Sequence, residues 1–160
     1  MAFTGSPVNA TIYQNQVDGD GTKNVTADVT GKMRIARFSY THAAGAGVGE
    51  INLVKLPPGK TRVLTDLCRL VTTQFASNAD LHIGHRAYTN LAGTAVAEDD
   101  DVFGANIDAG GGAIDAAFTL PAGGIKEFDS RGEVGIYAMV DTGNIEDDDT
   151  INGYIVYTKD

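Results

Sequence analysis

The sequence predicts an all-β protein, a two-sheet sandwich of jelly-roll type over residues 32–160 with an extended N-terminal arm over 1–31. Three observations carry that reading. Apolar residues recur with period two: Leu81, Ile83, His85 and Ala87 fall on one side, Asp80, His82, Gly84 and Arg86 on the other. Twenty glycines, with frequent Thr, Val and Asp, favour turns and strands over helices. The apolar runs of 48–89 are short and separated by turn signals at Pro57-Pro58-Gly59 and Ala76-Ser77-Asn78, which makes this stretch the hydrophobic centre.

Composition narrows the function classes. A 160-residue chain fits one domain, which buries roughly 70% of its unfolded surface. The formal net charge of −9 opposes binding to nucleic acid or anionic lipid. Lys32, Arg34 and Arg37 are the best candidates for a local basic patch. A single cysteine, Cys68, permits no internal disulfide and suits a reducing compartment. The opening MAFTGSPVNATIYQNQ has no basic start followed by an apolar core, so no export signal is expected. No apolar run approaches the ~20 residues of a membrane-spanning helix.

Taken in order, residues 1–31 have scattered apolar positions and no sustained period. Phe3, Val8, Ile12 and Tyr13 suffice to grip a neighbour but are too sparse for a core. The segment reads as an arm that orders on binding, against the plainer reading of a loose terminus. Within it, Asp18–Asn24 begins like a calcium loop, but Lys23 and Val29 occupy the positions that need Gly and an acid, so a Gly-rich turn is expected. Lys32–Thr41 is a strand, with Met33 and Ile35 set against Arg34, Ala36, Phe38 and Tyr40. Residues 43–49 form a connection that lacks the context of a phosphate-binding loop.

In 50–56 the alternation slips at Val54, which implies a bulge or burial on both faces. In 61–75, Val63, Leu64, Leu67, Leu70 and Val71 would share a helical face, yet the β-branched content and flanking strands favour strand. Residues 90–112 are polar and Gly-rich and read as a surface crossing between the sheets. Beyond them Ile114, Ala116, Phe118 and Leu120 point inward, 121–124 turns, and Ile125–Phe128 is a short strand. Val134, Ile136, Ala138 and Val140 make another inward face, 141–149 is a loop, and Ile151–Thr158 closes the chain, apolar on both sides. No internal repeat suggests a solenoid or propeller.

Candidate chemistry is sparse. His82 and His85 lie three apart in a strand and so point to opposite faces, where they cannot share one ion. His85, on the apolar side, reads as a satisfied core histidine, and His42 stands alone. The acidic runs 98–101 and 146–149 read as solvated loops; only if they met in space could they hold calcium. Carboxylate-based glycoside hydrolysis needs aromatic platforms, and the chain has no Trp. No Gly-x-Ser-x-Gly or activated cysteine is present. No catalytic, cofactor-binding or metal residue is therefore assigned, no cofactor is expected, and the chain reads as a non-enzyme.

Gly49-Glu-Ile-Asn-Leu-Val-Lys-Leu-Pro-Pro-Gly59, Arg62-Val-Leu64, Ala79-Asp-Leu-His-Ile-Gly-His-Arg-Ala-Tyr-Thr89 and Gly93-Thr-Ala-Val-Ala-Glu-Asp99 resemble small virion proteins of tailed bacteriophages, of the head decoration or cement type. The likeness spans about 48–140 and lies in strand order and turn phrases. It implies a jelly-roll-like sandwich that oligomerises, a trimer before a dimer, and clamps the major capsid protein on the outside of the shell, often with a terminal arm. It brings no catalytic residues, nucleic acid or membrane as partners, and it implies folding in the host cytoplasm. The alternatives are a glycan- or receptor-binding module presenting loops 90–112 and 141–149, and a tail or head–tail connector component.

Overall fold

The computed structural model describes residues 33–43, 49–76, 78–118 and 124–159, together with the backbone of two short strands before them. Those two are β1 (Val8–Asn9) and β2 (Ala27–Val29). They are followed by β3 (Met33–Thr41), β4 (Glu50–Leu56), β5 (Gly59–Leu64), a 3-10 turn (Thr65–Leu67) and β6 (Arg69–Thr72). Next come β7 (Asp80–His85), β8 (Tyr88–Thr89), β9 (Ala95–Val96), β10 (Asp99–Asp108) and β11 (Asp115–Ala117). β12 (Ile125–Ser130), β13 (Val134–Thr142) and β14 (Thr150–Lys159) complete the chain.

The strands form a jelly-roll-like two-sheet sandwich, as the period-two pattern required. The first sheet runs β1-β4-β13-β7-β10; β8 and β9 pair with each other as a separate hairpin. In the second sheet β14 is central: β3 lies along one edge and β6 then β5 share the other, with β11 outside β6 and β12 outside β5. β2 pairs with β3 and completes that sheet. Apart from the parallel contact of Val8–Asn9 with Ile51–Asn52, the pairings are antiparallel. The core lies between the sheets and includes Phe38, Ile51, Leu53, Leu56, Leu81, Ile83, Phe103, Phe128, Ile136 and Ile155.

The slip at Val54 is a bulge. Val54 faces Ile136 while Asn52 faces Tyr137, so Leu53 is the extra residue, and Leu53 and Val54 both bury in the core. The ambiguous 61–75 segment resolves into two strands joined by the 3-10 turn. That turn explains the helical phase: Leu67 and Val71, which a helix would bury, are exposed.

Three expectations need correction. Residues 99–108 are not a crossing loop but an edge strand. Its register against β7 shifts twice, between Asp99 and Gly104 and again before Ile107, which erases the period-two signal, and its free side leaves the acidic residues in water. Ala116 is exposed because β11 is an edge strand at the rim of the second sheet, not an inward face. Arg34 and Arg37 do not make a patch. The β3–β14 ladder is regular, so they fall on opposite faces, with Arg34 partly buried and Arg37 exposed. Lys32, the Asp18–Asn24 segment and the side chains of Phe3, Val8, Ile12 and Tyr13 lie outside the described residues.

Candidate functional site

The histidines do not converge. His85 is buried between the sheets, its Nδ1 3.0 Å from the Arg86 carbonyl, with Tyr88 and Phe128 edge-on to its ring. Burial holds its pKa below the ordinary imidazole value, so it is a neutral core residue, as the alternation implied. His82 lies on the opposite face of β7 beside Met139 of β13, and among the described residues its buried ring nitrogens have no hydrogen-bond partner. His42 is buried near the 146–149 turn, with Nδ1 3.0 Å from the Tyr40 hydroxyl. Cys68 is buried against Leu64 and Val156; burial pushes its thiol up to about 11, which leaves little thiolate for nucleophilic chemistry.

The acidic runs stand at opposite ends of β7. Asp99 pairs with His85 at one end of β7, while the segment leading into 146–149 reaches Ala76, just before the other end. Six strand residues separate the two ends by about 20 Å, too far for one ion. Their roles also differ. Asp149 is buried and holds its own turn, accepting from Thr73 Oγ1 and the Glu146 N–H, both at 2.8 Å. Carboxylate oxygens of Asp99, Asp100 and Asp101 lie within 4.8 Å of one another. A hydrogen bond with Asp99, then burial and repulsion, raises the Asp101 pKa.

The most organised polar cluster was not predicted. On the outer face of the first sheet, Arg86 reaches Glu50 at 2.7 Å and Glu98 at 3.1 Å, and its guanidinium donates to Asn52 Oδ1. It also lies 3.9 Å above the Tyr137 ring, which is 0% exposed although it stands outside the core. Burial and the Glu98 carboxylate suppress ionisation of that phenol. The arrangement clamps the outer face of the sheet: Glu50, Glu98 and Asn52 all meet the Arg86 guanidinium, whose stem and ring contacts cover apolar surface. Sequence alone gave no cue, because Glu50, Arg86 and Glu98 come from separate segments.

What remains for function is surface. Exposed large apolar side chains among the described residues include Leu67, Val71, Leu91 and Ile125. Leu67 and Ile125 flank the junction where the 3-10 turn meets the start of β12, and Leu91 stands at the tip of the β8–β9 hairpin beside the end of β12. Between them a cavity of about 290 Å³ is lined by Lys60, Thr61, Arg62, Glu127, Phe128 and Asp129.

No family model matches the chain, and no curated protein matches it in sequence. Solved structures do. The chain is similar to one from the capsid of Ralstonia phage GP4, with a TM-score of 0.67 and 14% identity over 97% of this chain and 99% of that one. It is also similar to a chain of the capsid asymmetric unit of cyanophage Pam1, with a TM-score of 0.54 and 13% identity over 87% and 95% of the two chains. At such identities the likeness establishes the fold: the chain has the β-sandwich architecture found in chains of phage capsids.

Proposed function

We propose that the protein is a virion structural component, a head decoration or cement protein that binds the outside of a phage capsid shell and stabilises it without catalysis. The observation that carries this is the end-to-end correspondence with a chain of the Ralstonia phage GP4 capsid. The two chains have nearly the same length, so a whole small capsid chain is matched and not one domain of a large one. The resemblance of residues 49–99 to decoration proteins points the same way.

In this reading the protein folds in the host cytoplasm and acts through binding energy alone. A ligand that binds the assembled shell and not its dispersed subunits shifts the assembly equilibrium by linkage. A homo-oligomer, a trimer in preference to a dimer, turns weak single contacts into firm attachment by engaging several major capsid subunits at once. Residues 1–31 act as the arm, with Phe3, Val8, Ile12 and Tyr13 as the gripping side chains, while the backbone of Val8–Asn9 and Ala27–Val29 pairs with β4 and β3 and ties the arm to both sheets.

The test is to add the purified protein to shells assembled from the major capsid protein of the same virion. Electron microscopy is expected to place added density on the shell exterior, and the decorated shells are expected to disassemble at a higher temperature. Density confined to a tail or connector, or no binding to the shell, overturns the reading.

A further inference from the structure

The ring nitrogens of His82 are buried, and neither has a hydrogen-bond partner. An imidazole always presents at least one N–H donor, so this burial carries a cost that folded chains normally avoid. The residue stands on the outer face of β7, in a row with Met139 of β13 and Glu50 of β4.

β10 crosses the same face as an arch. From Asp99, opposite His85, to Gly104, opposite Ile83, β10 takes five steps (99 to 104) where β7 takes two (85 to 83), so three residues are surplus. A Cβ on Gly84 would overlap the Asp99 carbonyl oxygen and the Asp100 backbone, so the arch lies directly on this face, two residues from His82. It gathers the carboxylate oxygens of Asp99, Asp100 and Asp101 within 4.8 Å of one another. Asp101 hydrogen-bonds Asp99 and is repelled by both neighbouring carboxylates, and the charge of His82 acts on it in the opposite sense.

The other charges of this face are engaged elsewhere. Glu50 and Glu98 meet Arg86, Lys55 meets Glu133, the Tyr137 phenol stays protonated, and Asp80 accepts from Thr142. Asp141, the extra residue where β13 shifts against β7, is exposed.

We propose that His82 and the Asp99–Asp101 arch form a proton-operated latch on the edge of the first sheet. At alkaline pH the neutral ring is unpaired and the carboxylates repel, so the arch opens readily. On acidification His82 takes up a proton, both ring nitrogens become donors, and the imidazolium pairs with the Asp101 carboxylate. The surplus residues give the arch the slack to close on it. This contribution is present below the imidazole range and is lost as pH rises through it. Its sign is opposite to that of His85, whose burial resists protonation. The inference does not depend on the virion reading.

The experiment is amide hydrogen exchange on the full chain at pH 8 and pH 5.5, expressed as protection factors. The Asp101, Val102 and Phe103 amides are expected to gain about tenfold in protection at pH 5.5. An edge strand opens locally, so these amides report the arch, while the Ile155 amide of central β14 reports global unfolding and should not gain. The His82 ring resonances should titrate in step with the gain. His82→Gln, which cannot take up the proton, and Asp101→Asn should each abolish it. If His82→Gln fails to fold, Asp101→Asn and the wild-type ring titration decide. No gain in the wild type, or a His82 ring that does not titrate over this interval, overturns the latch. A gain kept in His82→Gln and lost in Asp101→Asn assigns the proton to the Asp99–Asp101 pair and overturns the role of His82. Protection at pH 8 that appears with added Mn2+ or Ca2+ and vanishes with chelator, without dependence on pH, reassigns the arch to a metal ion and overturns the inference.

Discussion

The two sheets of this sandwich are built by different rules. In the second, β14 pairs with β3 from Thr150–Thr41 to Thr158–Met33 without a shift, and its ladders to β5 and β6 are equally regular. In the first, the ladders of β13 with β4, β13 with β7 and β10 with β7 each contain a shift. The outer faces follow suit. Arg37, Ser39, Arg69 and Val71 of the second sheet are exposed, and Arg69 meets Asp115 in a two-pronged ion pair at 2.6 Å, open to solvent. On the first sheet Tyr137 and Asn52 are buried under Arg86 and its carboxylate partners. The comparison teaches that regular pairing suffices where one face meets water. Bulges appear where a sheet must re-aim side chains to be covered on both faces.

The sharpest way to break this contrast is at Gly84. Between Asp99 and Gly104, β10 bulges over β7, and a Cβ at Gly84 would overlap the Asp99 carbonyl oxygen and the Asp100 backbone. Backbone cannot yield as a flexible side chain can. Gly84→Ala is expected to destabilise by about 3 kcal/mol, read from denaturant unfolding. Gly132→Ala, whose Cβ would meet nothing within 4 Å, should leave the midpoint nearly unchanged.

A smaller effect separates the two arginines. Arg86→Met leaves Glu50 half-buried without its ion pair and uncovers Tyr137, at a cost of about 2 kcal/mol. Arg69→Met, in the exposed pair, should shift the melting temperature little, because solvent screens that pair. Equal losses would mean that the covered face of the first sheet contributes no more than the wet face of the second.

The smallest effect is in pH. Burial lowers the His85 pKa, so the unfolded chain takes up a proton that the native state resists. Stability from this source is complete above the ordinary imidazole value of 6.5 and falls as pH drops below it toward the depressed native value. His85→Gln should flatten that slope. Asp115 is also depressed, by its hydrogen bonds from Arg69, but its window starts at the ordinary carboxylate value of 3.8 and extends downward. Melting curves between pH 7 and pH 5 should therefore respond to His85 and not to Asp115.

The clamp around Arg86 and the arch of β10 over Gly84 mark the limit of what could be read in advance. Alternation in 80–85 and 134–140 correctly predicted strands and their inward faces, and it correctly turned His85 into the core, because each side chain's facing depends only on local backbone geometry. Ala87, expected on the same inward face, is exposed because β7 ends at His85. The same locality located the bulge at 53–54. The period failed in 99–108, where two shifts of register depend on a partner strand distant in sequence. It also failed at Asp149, whose burial comes from Thr73, and could not foresee that Glu50, Arg86 and Glu98 meet. The sequence by itself determined the all-β class, the alternation and the absence of any familiar catalytic spacing. Only the tertiary structure decided which strands became edges and which face was covered, because strand pairing is non-local and one-residue shifts in it re-aim every side chain that follows.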